Sequence, residues 1–236
     1  MTAAYAAHGS RVLDLFCCSG GAAMGYHLAG FQVDGIDIID RPRYPFAFHQ
    51  ADALGALAHL IATGEIGRYA LVHASPPCQE GCALTVGTNR SRGWGRSHVQ
   101  LIPELRALLD ATGLPYVIEQ PNGTAPVRPD VRLCGESFRL GVLRHRSFEL
   151  GRWSTPQPPH PRHRGYVRGY RHGVYRDGPY VAAYGSGGGK ATVPEMQTAM
   201  GITWTAVREE LTEAIPPAFT RSIATAFTTA RQEVFA

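Results

Sequence analysis

The sequence predicts an α/β protein whose core is an open, doubly wound sheet with helices on both faces. In the first half of the chain, short apolar runs alternate with segments that are compatible with helices. Strands separated by helices indicate a parallel sheet. Several of the apolar runs also end at turns that contain glycine or proline, at the sheet edge where α/β proteins bind ligands.

Five predicted strands and three predicted helices make up this first half. The strands are expected at residues 11–16, 31–36, 46–50, 69–74 and 116–119. The helices are expected at residues 22–29, 53–62 and 98–111. Each strand therefore leads into a turn or a helix, as a doubly wound sheet requires.

The second half has a different pattern. Residues 131–138 and 144–150 are predicted strands of a hairpin-like region, residues 180–184 a further strand, and residues 192–200 and 223–231 helices. Residues 152–178 are rich in Pro, Gly, Arg, His and Tyr without periodicity, which predicts an irregular insertion. We therefore expect one main domain, made of residues 1–150 and 180–236, with a small basic insertion at 151–179.

The bulk composition indicates a globular protein with reduced thiols. The 236 residues include five cysteines, an odd number that argues against a complete disulfide framework. No run approaches the roughly 20 apolar residues that cross a membrane, and no secretory signal is recognisable, so the cytoplasm is the expected compartment. The net charge is +4, and every cation except Lys190 is an arginine, a side chain that suits phosphates and base edges.

The first motif is the turn Asp-Leu-Phe-Cys-Cys-Ser-Gly-Gly at residues 14–21, after the first predicted strand. Small residues let a nucleotide-containing cofactor approach the backbone, and the following helix offers free N–H groups. Asp37 follows the second strand, where a carboxylate can accept both ribose hydroxyls, and Asp52 follows the third, where it can accept an adenine amine. Each feature alone also fits a packing glycine or an exposed turn residue, so both interpretations stay open.

The second motif is Ser-Pro-Pro-Cys-Gln at residues 75–79. Two prolines after a buried strand fix an extended path, and they place Cys78 at the carboxyl edge of the sheet. The alternative is a structural cysteine, which is how we interpret the other four. Cys78 and Cys82 would make half of a metal site, but no matching second pair exists, so no metal is expected.

Two later segments bring charged residues to strand ends. In Val-Ile-Glu-Gln-Pro-Asn at residues 117–122, Glu119 can hold a proton for a ring nitrogen. In Arg-His-Arg at residues 144–146, alternation along a strand would let Arg144 and Arg146 converge on one site. The alternatives are a loop glutamate and a solvated pair of charges.

Taken in order, these four motifs resemble those of the DNA cytosine-5 methyltransferase family. The resemblance covers about residues 11–227, and its specific part is the order of Asp-Leu-Phe-x-x-x-Gly-Gly, Pro-Pro-Cys-Gln, Glu-x-Pro and Arg-x-Arg. It implies a Rossmann-like methyltransferase sheet, S-adenosylmethionine as cofactor, and DNA with a flipped-out cytosine as partner. The implied reaction methylates C5 of cytosine through a covalent bond between Cys78 and C6.

The resemblance also implies roles for individual residues. Cys78 matches the nucleophile, Glu119 the acid at cytosine N3, and Arg146, with Arg144 beside it, the contact to the cytosine carbonyl. The implied cofactor-binding residues are Asp14, Phe16, Cys18, Gly20, Gly21, Asp37, Ile38, Asp52, Ala53 and Pro76. The expected substrate-binding residues, in the nucleophile loop and the insertion, are Gln79, Arg90, Arg92, Arg164, Arg168 and Arg171.

The chain departs from the family pattern at three short stretches. The family usually has glycine at Cys18, and a cysteine fits there if its backbone is not left-handed. Gln120 replaces an asparagine beside the catalytic acid. Residues 213–217, Glu-Ala-Ile-Pro-Pro, lack an asparagine of the family but are still expected to lie against the cofactor.

The largest departure is the short target-recognition segment, residues 152–178. Its arginines alternate with Tyr166, Tyr170 and Tyr175, a combination that suits a single-stranded or flipped-out substrate. Residues 89–96 after the nucleophile are expected to form a second contact. A disordered basic loop is the alternative interpretation of the insertion.

Two other functions stay open at this point. The same chemistry can act on RNA or on a free nucleotide, since a short segment can also shape a small pocket. A non-catalytic regulator that binds nucleic acid can keep the same fold. The compact single module suits a phage-encoded or orphan enzyme with no nuclease attached, and a role in a restriction-modification system stays open.

Overall fold

A computed structural model of the protein describes residues 10–77, 101–123, 126–171, 173–184 and 191–234. Its main feature is a seven-stranded sheet with the order β3-β2-β1-β4-β5-β7-β6. The strands are β1 (Arg11–Leu15), β2 (Gln32–Asp37), β3 (Ala47–Gln50), β4 (Tyr69–Ala74), β5 (Tyr116–Pro121), β6 (Val131–Leu133) and β7 (Arg146–Gly151). Strands β1 to β5 pair in parallel, whereas β7 runs antiparallel to both β5 and β6.

The described part of the chain contains six α-helices. They are α1 (Gly21–Leu28), α2 (Ala53–Ala62), α3 (Ile102–Ala111), α4 (Val193–Met200), α5 (Arg208–Glu213) and α6 (Pro217–Val234). Two 3₁₀ turns, Glu65–Arg68 and Gly135–Phe138, precede β4 and follow β6. No helix among these residues is long and apolar enough to span a lipid bilayer.

Alternating side chains of β1 show how the sheet is covered on both faces. Val12 belongs to an apolar cluster with Tyr26 of α1 and Phe219 of α6. Leu13 and Leu15 belong to a second cluster, which includes residues of α2 and α3 on the opposite face. Because successive side chains of a strand point to opposite faces, one short strand contributes to both cores. The predicted doubly wound fold is therefore confirmed.

Close approach between α1 and α6 depends on glycine. A Cβ atom on Gly25 would lie 2.0 Å from the Thr220 hydroxyl oxygen and 2.3 Å from the Pro217 carbonyl oxygen. The same hydroxyl donates a hydrogen bond of 2.8 Å to the carbonyl of Ala22. The helices are therefore near enough for one side chain to bridge the two backbones.

Several sequence-based element boundaries in the second half are wrong. The strand predicted at 131–138 is only β6, and a 3₁₀ turn follows it. Residues 180–184 form no strand: Tyr180 makes an isolated bridge with Val167. Helix α5 was not predicted, and α6 begins at Pro217 rather than residue 223 because proline is well tolerated in the first turn of a helix.

The insertion is attached to the sheet by side chains that bond backbone groups. The Trp153 indole N–H donates to the carbonyl of Tyr116 at 3.1 Å. The side chain of Gln157 accepts from the Arg132 N–H at 2.6 Å and donates to its carbonyl at 3.0 Å. Further on, β8 (Gly169–Arg171) and β9 (Val174–Arg176) form a small antiparallel pair. The described part of the insertion is therefore bonded to the backbone of the sheet.

We predict that Gly25→Ala destabilises the protein by about 1–3 kcal/mol, because the new methyl group overpacks the α1–α6 contact. Alanine's better helix propensity acts in the opposite direction and is outweighed. The measurement is the free energy of unfolding in denaturant. Gly67→Ala is the matched control, since nothing lies within 4 Å of a Cβ atom there; equal effects of the two substitutions would contradict the prediction.

Candidate active site

The turn after β1 holds a strained backbone. Phe16 has a φ of +58°, Cys18 of +48° and Gly20 of +82°. The left-handed region costs a residue with a Cβ atom roughly 1–2 kcal/mol. Cys18 is therefore left-handed, so the condition under which a cysteine was expected to replace glycine here is not met. Strain at non-glycine residues persists where the surroundings determine the backbone, which is typical of ligand sites.

Asp37, at the end of β2, stabilises that turn. Its carboxylate accepts the backbone N–H of Cys18 at 2.9 Å and that of Ile39 at 2.9 Å. Arg41 forms an ion pair with it at 3.3 Å. The predicted ribose-binding acid is thus buried, and it joins the ends of two neighbouring strands through charge-assisted hydrogen bonds.

Asp14 and Ser19 are buried polar side chains beneath the same turn. Among the described residues, their side-chain oxygens make no hydrogen bond of normal geometry. Burial, with the charge of Asp37 adding to it, raises the pKa of Asp14 well above its usual range, although the nearby Tyr44 hydroxyl lowers it. A buried acid without full compensation favours a ligand that brings positive charge or hydrogen-bond donors.

The thiols of this turn are unsuited to nucleophilic chemistry. Burial raises the pKa of the Cys18 thiol to about 11 and that of Cys17 further. Thiols with a raised pKa stay protonated at neutral pH, and the thiolate is the nucleophile. This supports the structural interpretation of both cysteines.

The remaining residues of the predicted cofactor site lie at the ends of β2, β3 and β4. Ile38 is 66% exposed, an apolar side chain directly after the β2 acid. Asp52 accepts the Gly55 N–H at 2.7 Å and so caps α2, whose first residue Ala53 is buried. Pro76 is buried after β4. The ends of these strands therefore present the apolar side chain of Ile38 and the carboxylate of Asp52, one oxygen of which accepts the Gly55 N–H.

The C-terminal segment closes the other side of the turn. A Cβ atom on Gly21 would lie 2.2 Å from the carbonyl oxygen of Ile215, so only glycine allows this approach. The Trp204 indole N–H donates to the Ser19 carbonyl at 2.6 Å. The Glu-Ala-Ile-Pro-Pro stretch therefore lies against the predicted cofactor turn.

The end of β4 is tied to the end of β5. The buried Gln120 amide donates to the Pro76 carbonyl at 2.5 Å. The replacement of asparagine by Gln120 thus leaves a direct link between the acid-bearing strand and the Pro-Pro turn. Four predicted residues of the following loop, Cys78, Gln79, Arg90 and Arg92, lie outside the described residues.

Glu119 and Arg146 form an ion pair at the same sheet edge. Their Oε1 and Nε atoms are 2.7 Å apart, and the side chains are only 6% and 13% exposed. The antiparallel register sets Pro121 opposite Arg146, so the end of β5 meets the start of β7. The third and fourth sequence motifs therefore share one site.

Arg144 does not share that strand face. It precedes β7 with a φ of +24°, so the strand alternation expected for residues 144–150 does not apply to it. Its guanidinium donates to the Ala183 carbonyl at 2.9 Å and to the Thr212 carbonyl. Arg144 therefore binds backbone carbonyls of the later part of the chain. We assign this side chain no role in the proposed reaction.

His73 is a buried polar residue that the sequence analysis missed. Its ring nitrogens lie 3.0 Å from the Tyr26 hydroxyl and 3.0 Å from the Ser75 hydroxyl. Burial lowers the pKa of His73 to about 3, so the ring is neutral. It fixes the first residue of the Pro-Pro-Cys turn. An apolar run interrupted by one histidine was the only signal for it in the sequence.

The predicted substrate-binding arginines of the insertion bind carboxylates of the chain itself. Arg164 pairs with Glu136 at 2.9 Å, and Arg168 pairs with Glu195. The side chain of Arg171 lies outside the described residues. Buried Glu136 requires a cation, so these contacts attach the insertion to the main domain. Without substrate, Arg164 and Arg168 therefore pair with carboxylates of the chain, and their role in substrate binding stays a prediction.

The tyrosines of the insertion are exposed instead. Tyr166, Tyr170 and Tyr175 are 64%, 73% and 54% exposed. The Arg176 guanidinium lies over the Tyr166 ring at 5.2 Å, and the other two rings meet edge to face. The insertion thus presents an aromatic surface with a cation beside it.

We predict that Asp14→Asn stabilises the folded protein without ligand, and that its advantage grows from about pH 4 to neutral pH. The raised pKa means that the folded state holds the proton more tightly than the unfolded chain. Wild-type stability therefore falls as pH rises above the ordinary carboxyl pKa, and the amide removes that loss. Denaturation at pH 4 and pH 8 measures it, with exposed Asp40→Asn as control; a pH-independent difference would contradict the assignment.

Comparisons with known proteins define the fold. No protein-family model and no curated protein sequence matches the chain. Among solved structures, it is similar to DNMT2 of Spodoptera frugiperda, solved as a triple mutant, with a TM-score of 0.62 and 10% identity over 93% of this chain and 99% of that chain. It is also similar to the methyltransferase EhMeth of Entamoeba histolytica, with a TM-score of 0.49 and 9% identity over 93% and 98% of the two chains.

A SAM-dependent methyltransferase of Agrobacterium tumefaciens aligns over 55% of this chain and 41% of its own length, with a TM-score of 0.35 and 18% identity. Of these three similarities, the first carries the argument, and at 10% identity it concerns the fold alone. The chain therefore has a Rossmann-like α/β methyltransferase fold, similar to that of the DNMT2 structure.

Proposed function

We propose that this protein is an S-adenosylmethionine-dependent methyltransferase that methylates C5 of cytosine in DNA. The observation that carries the proposal is the largely buried ion pair of Glu119 with Arg146. The hydrogen bond from the Gln120 amide to the Pro76 carbonyl connects this pair to the turn that precedes Cys78. Three of the four sequence motifs thereby meet at one edge of a methyltransferase sheet. A nucleophile, an acid and a carbonyl clamp are what attack on a cytosine ring requires.

The chain's own residues fit the proposed cofactor at the turn after β1. S-adenosylmethionine supplies the methyl group as part of a sulfonium, and it carries a positive charge. The buried carboxylate of Asp37 favours such a cation, and a bound cation would lower the raised pKa of Asp14 nearby. Asp37 and Asp52 would accept hydrogen bonds from its ribose and adenine, and Ile38 would offer an apolar surface to the base.

Cys78 would act as the nucleophile. C5 of cytosine is a weak nucleophile, and addition of the Cys78 thiolate to C6 moves an electron pair onto C5. C5 then accepts the methyl group, a base removes the C5 proton, and the C6–sulfur bond breaks to release Cys78. Within a duplex, the target base must leave the stack to reach the thiol.

Glu119 and Arg146 would stabilise the ring during addition. Glu119 holds a proton at N3, which draws electrons away from C6 and makes attack easier. Arg146 donates to O2, where negative charge develops. Before substrate arrives, the two side chains pair with each other at the sheet edge.

DNA is favoured over a free nucleotide by the exposed tyrosines of the insertion. Aromatic rings with neighbouring arginines stack on unpaired bases, and such stacking tolerates any sequence. A free nucleotide would need an enclosed pocket rather than an open aromatic surface. RNA offers the same stacking, so the assay below includes it.

We predict that DNA containing 5-fluorocytosine, mixed with S-adenosylmethionine, forms a covalent adduct with the protein. Fluorine at C5 cannot be removed as a proton is, so Cys78 stays bonded to C6. Glu119→Gln should slow adduct formation by about 10²–10⁴-fold, because the group at N3 is lost. The readout is adduct formation over time by denaturing gel and mass spectrometry.

Cys78→Ser and Glu209→Gln are the matched variants of this experiment. The first should abolish the adduct, and the second, an exposed glutamate outside the site, should react like the wild type. An adduct that maps to another cysteine would reject the assigned nucleophile. Absence of any adduct while the DNA is bound would reject the covalent mechanism.

We predict that Tyr170→Ala and Tyr175→Ala raise the KM for DNA about 5- to 150-fold each, the loss of roughly 1–3 kcal/mol per stacked base. Methyl transfer is measured on duplex DNA, single-stranded DNA, RNA and dCMP. Val174→Ala on the same hairpin is the control, because its side chain is also exposed but has no ring. Turnover on dCMP alone would exclude the DNA proposal, and turnover on RNA alone would move the substrate class to RNA.

A further inference from the structure

Four side chains with metal-binding atoms converge where the insertion meets the sheet. Cys134, His145, His160 and His163 each place one ligand atom within 4.8 Å of the other three. The Cys134 sulfur lies 3.4 Å from Nε2 of His163, and Nε2 of His145 lies 3.1 Å from Nε2 of His160. The four residues come from three separate stretches of chain.

The main domain and the insertion each contribute two of these residues. Cys134 directly follows β6, and His145 directly precedes β7. His160 and His163, in His-Pro-Arg-His, belong to the extended part of the insertion. Neither pair can form a site without the other. Sequence reasoning missed the group because it sought paired cysteines, although the short spacing of the two insertion histidines was a signal.

We propose that Cys134, His145, His160 and His163 bind one zinc ion that fastens the insertion to the main domain. Zinc takes four tetrahedral nitrogen and sulfur ligands in structural sites. Bonds of about 2.0–2.3 Å to a central zinc separate neighbouring ligand atoms by roughly 3.3–3.6 Å. The Cys134–His163 and His145–His160 separations lie close to that range, and a pair at the upper limit of 4.8 Å needs a shift of about an ångström or slightly more.

The burial of the four residues fits a structural ion. Cys134 is fully buried, His145 and His163 are half-buried, and His160 is exposed, so the site has a solvent-facing side by which an ion can enter. The mixed set of one thiolate and three imidazoles suits zinc better than magnesium or calcium, which prefer oxygen. Four protein ligands leave no open position for a catalytic water.

Zinc binding would change the bonds of the Cys134 sulfur, whose S–H group lies 3.2 Å from the Leu143 carbonyl oxygen. Binding replaces the S–H bond of Cys134 with a zinc–sulfur bond, and the proton goes to solvent. The Leu143 carbonyl, now 3.2 Å from the sulfur, keeps its other donor, the Gly135 N–H at 2.8 Å.

The ion would also stabilise the neighbouring active site. His145 is adjacent to Arg146, and its carbonyl accepts from the Arg146 guanidinium at 3.1 Å. A zinc bond to the His145 ring would therefore fix the backbone next to Arg146, the residue that forms the ion pair with Glu119. The same ion restrains the segment that leads to the exposed tyrosines.

We predict that the purified protein, without a histidine tag, contains one zinc ion per chain by elemental analysis. After removal of zinc by a chelator, Co²⁺ should restore one equivalent of binding with visible bands of tetrahedral cobalt and an ultraviolet thiolate band. Chelation should also lower the melting temperature, which addition of zinc reverses. None of these measurements requires methyl transfer, so the result is independent of the proposed function.

Variants identify the ligands. Cys134→Ser should remove the thiolate band. His160→Ala and His163→Ala should each weaken zinc binding by more than the roughly 10–100-fold typical of losing a residue that only hydrogen-bonds to a metal ligand. His59→Ala, an exposed histidine on α2, is the matched control and should bind like the wild type. His160 is the most exposed ligand, so its variant should fold, as circular dichroism will check.

Two results would overturn the proposal. One is wild-type protein that neither contains zinc nor binds Co²⁺ with a thiolate band. The other is metal binding that the Cys134 and His160 variants retain at wild-type affinity. Either result would leave the four side chains as a hydrogen-bonded cluster.

Discussion

The antiparallel pairing of β5 with β7 is the constraint on which the candidate site depends. It places Pro121 opposite Arg146, so that Glu119 at the end of one strand meets a cation at the start of the next. In the low-dielectric interior, the loss of either partner would leave a buried charge uncompensated. The parallel strands β1 to β4 supply the other edge residues, and Gln120 connects the two parts through the Pro76 carbonyl.

The turn after β1 concentrates backbone strain and buried acids in a few residues. Phe16 and Cys18 are left-handed, and Asp37 compensates part of that cost through two backbone N–H groups. Within the described part of the chain, burial of Asp14 outweighs its stabilising hydrogen bonds, and its pKa is raised. Such a turn is stable only because the sheet, the α1 helix and the C-terminal segment enclose it, and it is suited to a cationic ligand.

The insertion is short, and several of its polar groups attach it to the main domain. Arg164 and Arg168 neutralise acids of the main domain, and Trp153 and Gln157 bond to the sheet backbone. Its tyrosines Tyr166, Tyr170 and Tyr175 stay exposed. A small segment without a core of its own gains from a cross-link, because few apolar contacts are present to hold it. The Cys134–histidine group lies at this junction.

The sequence by itself determined the fold class, β1 to β5 and the order of the four motifs, because apolar runs, small-residue turns and prolines act locally. It also placed Glu119 and Arg146 at strand ends. Only the tertiary structure decided that Arg144 turns away to the carbonyls of Ala183 and Thr212, that α5 forms, and that four ligand-type side chains meet. These features depend on contacts between residues far apart in the chain, which no local pattern encodes.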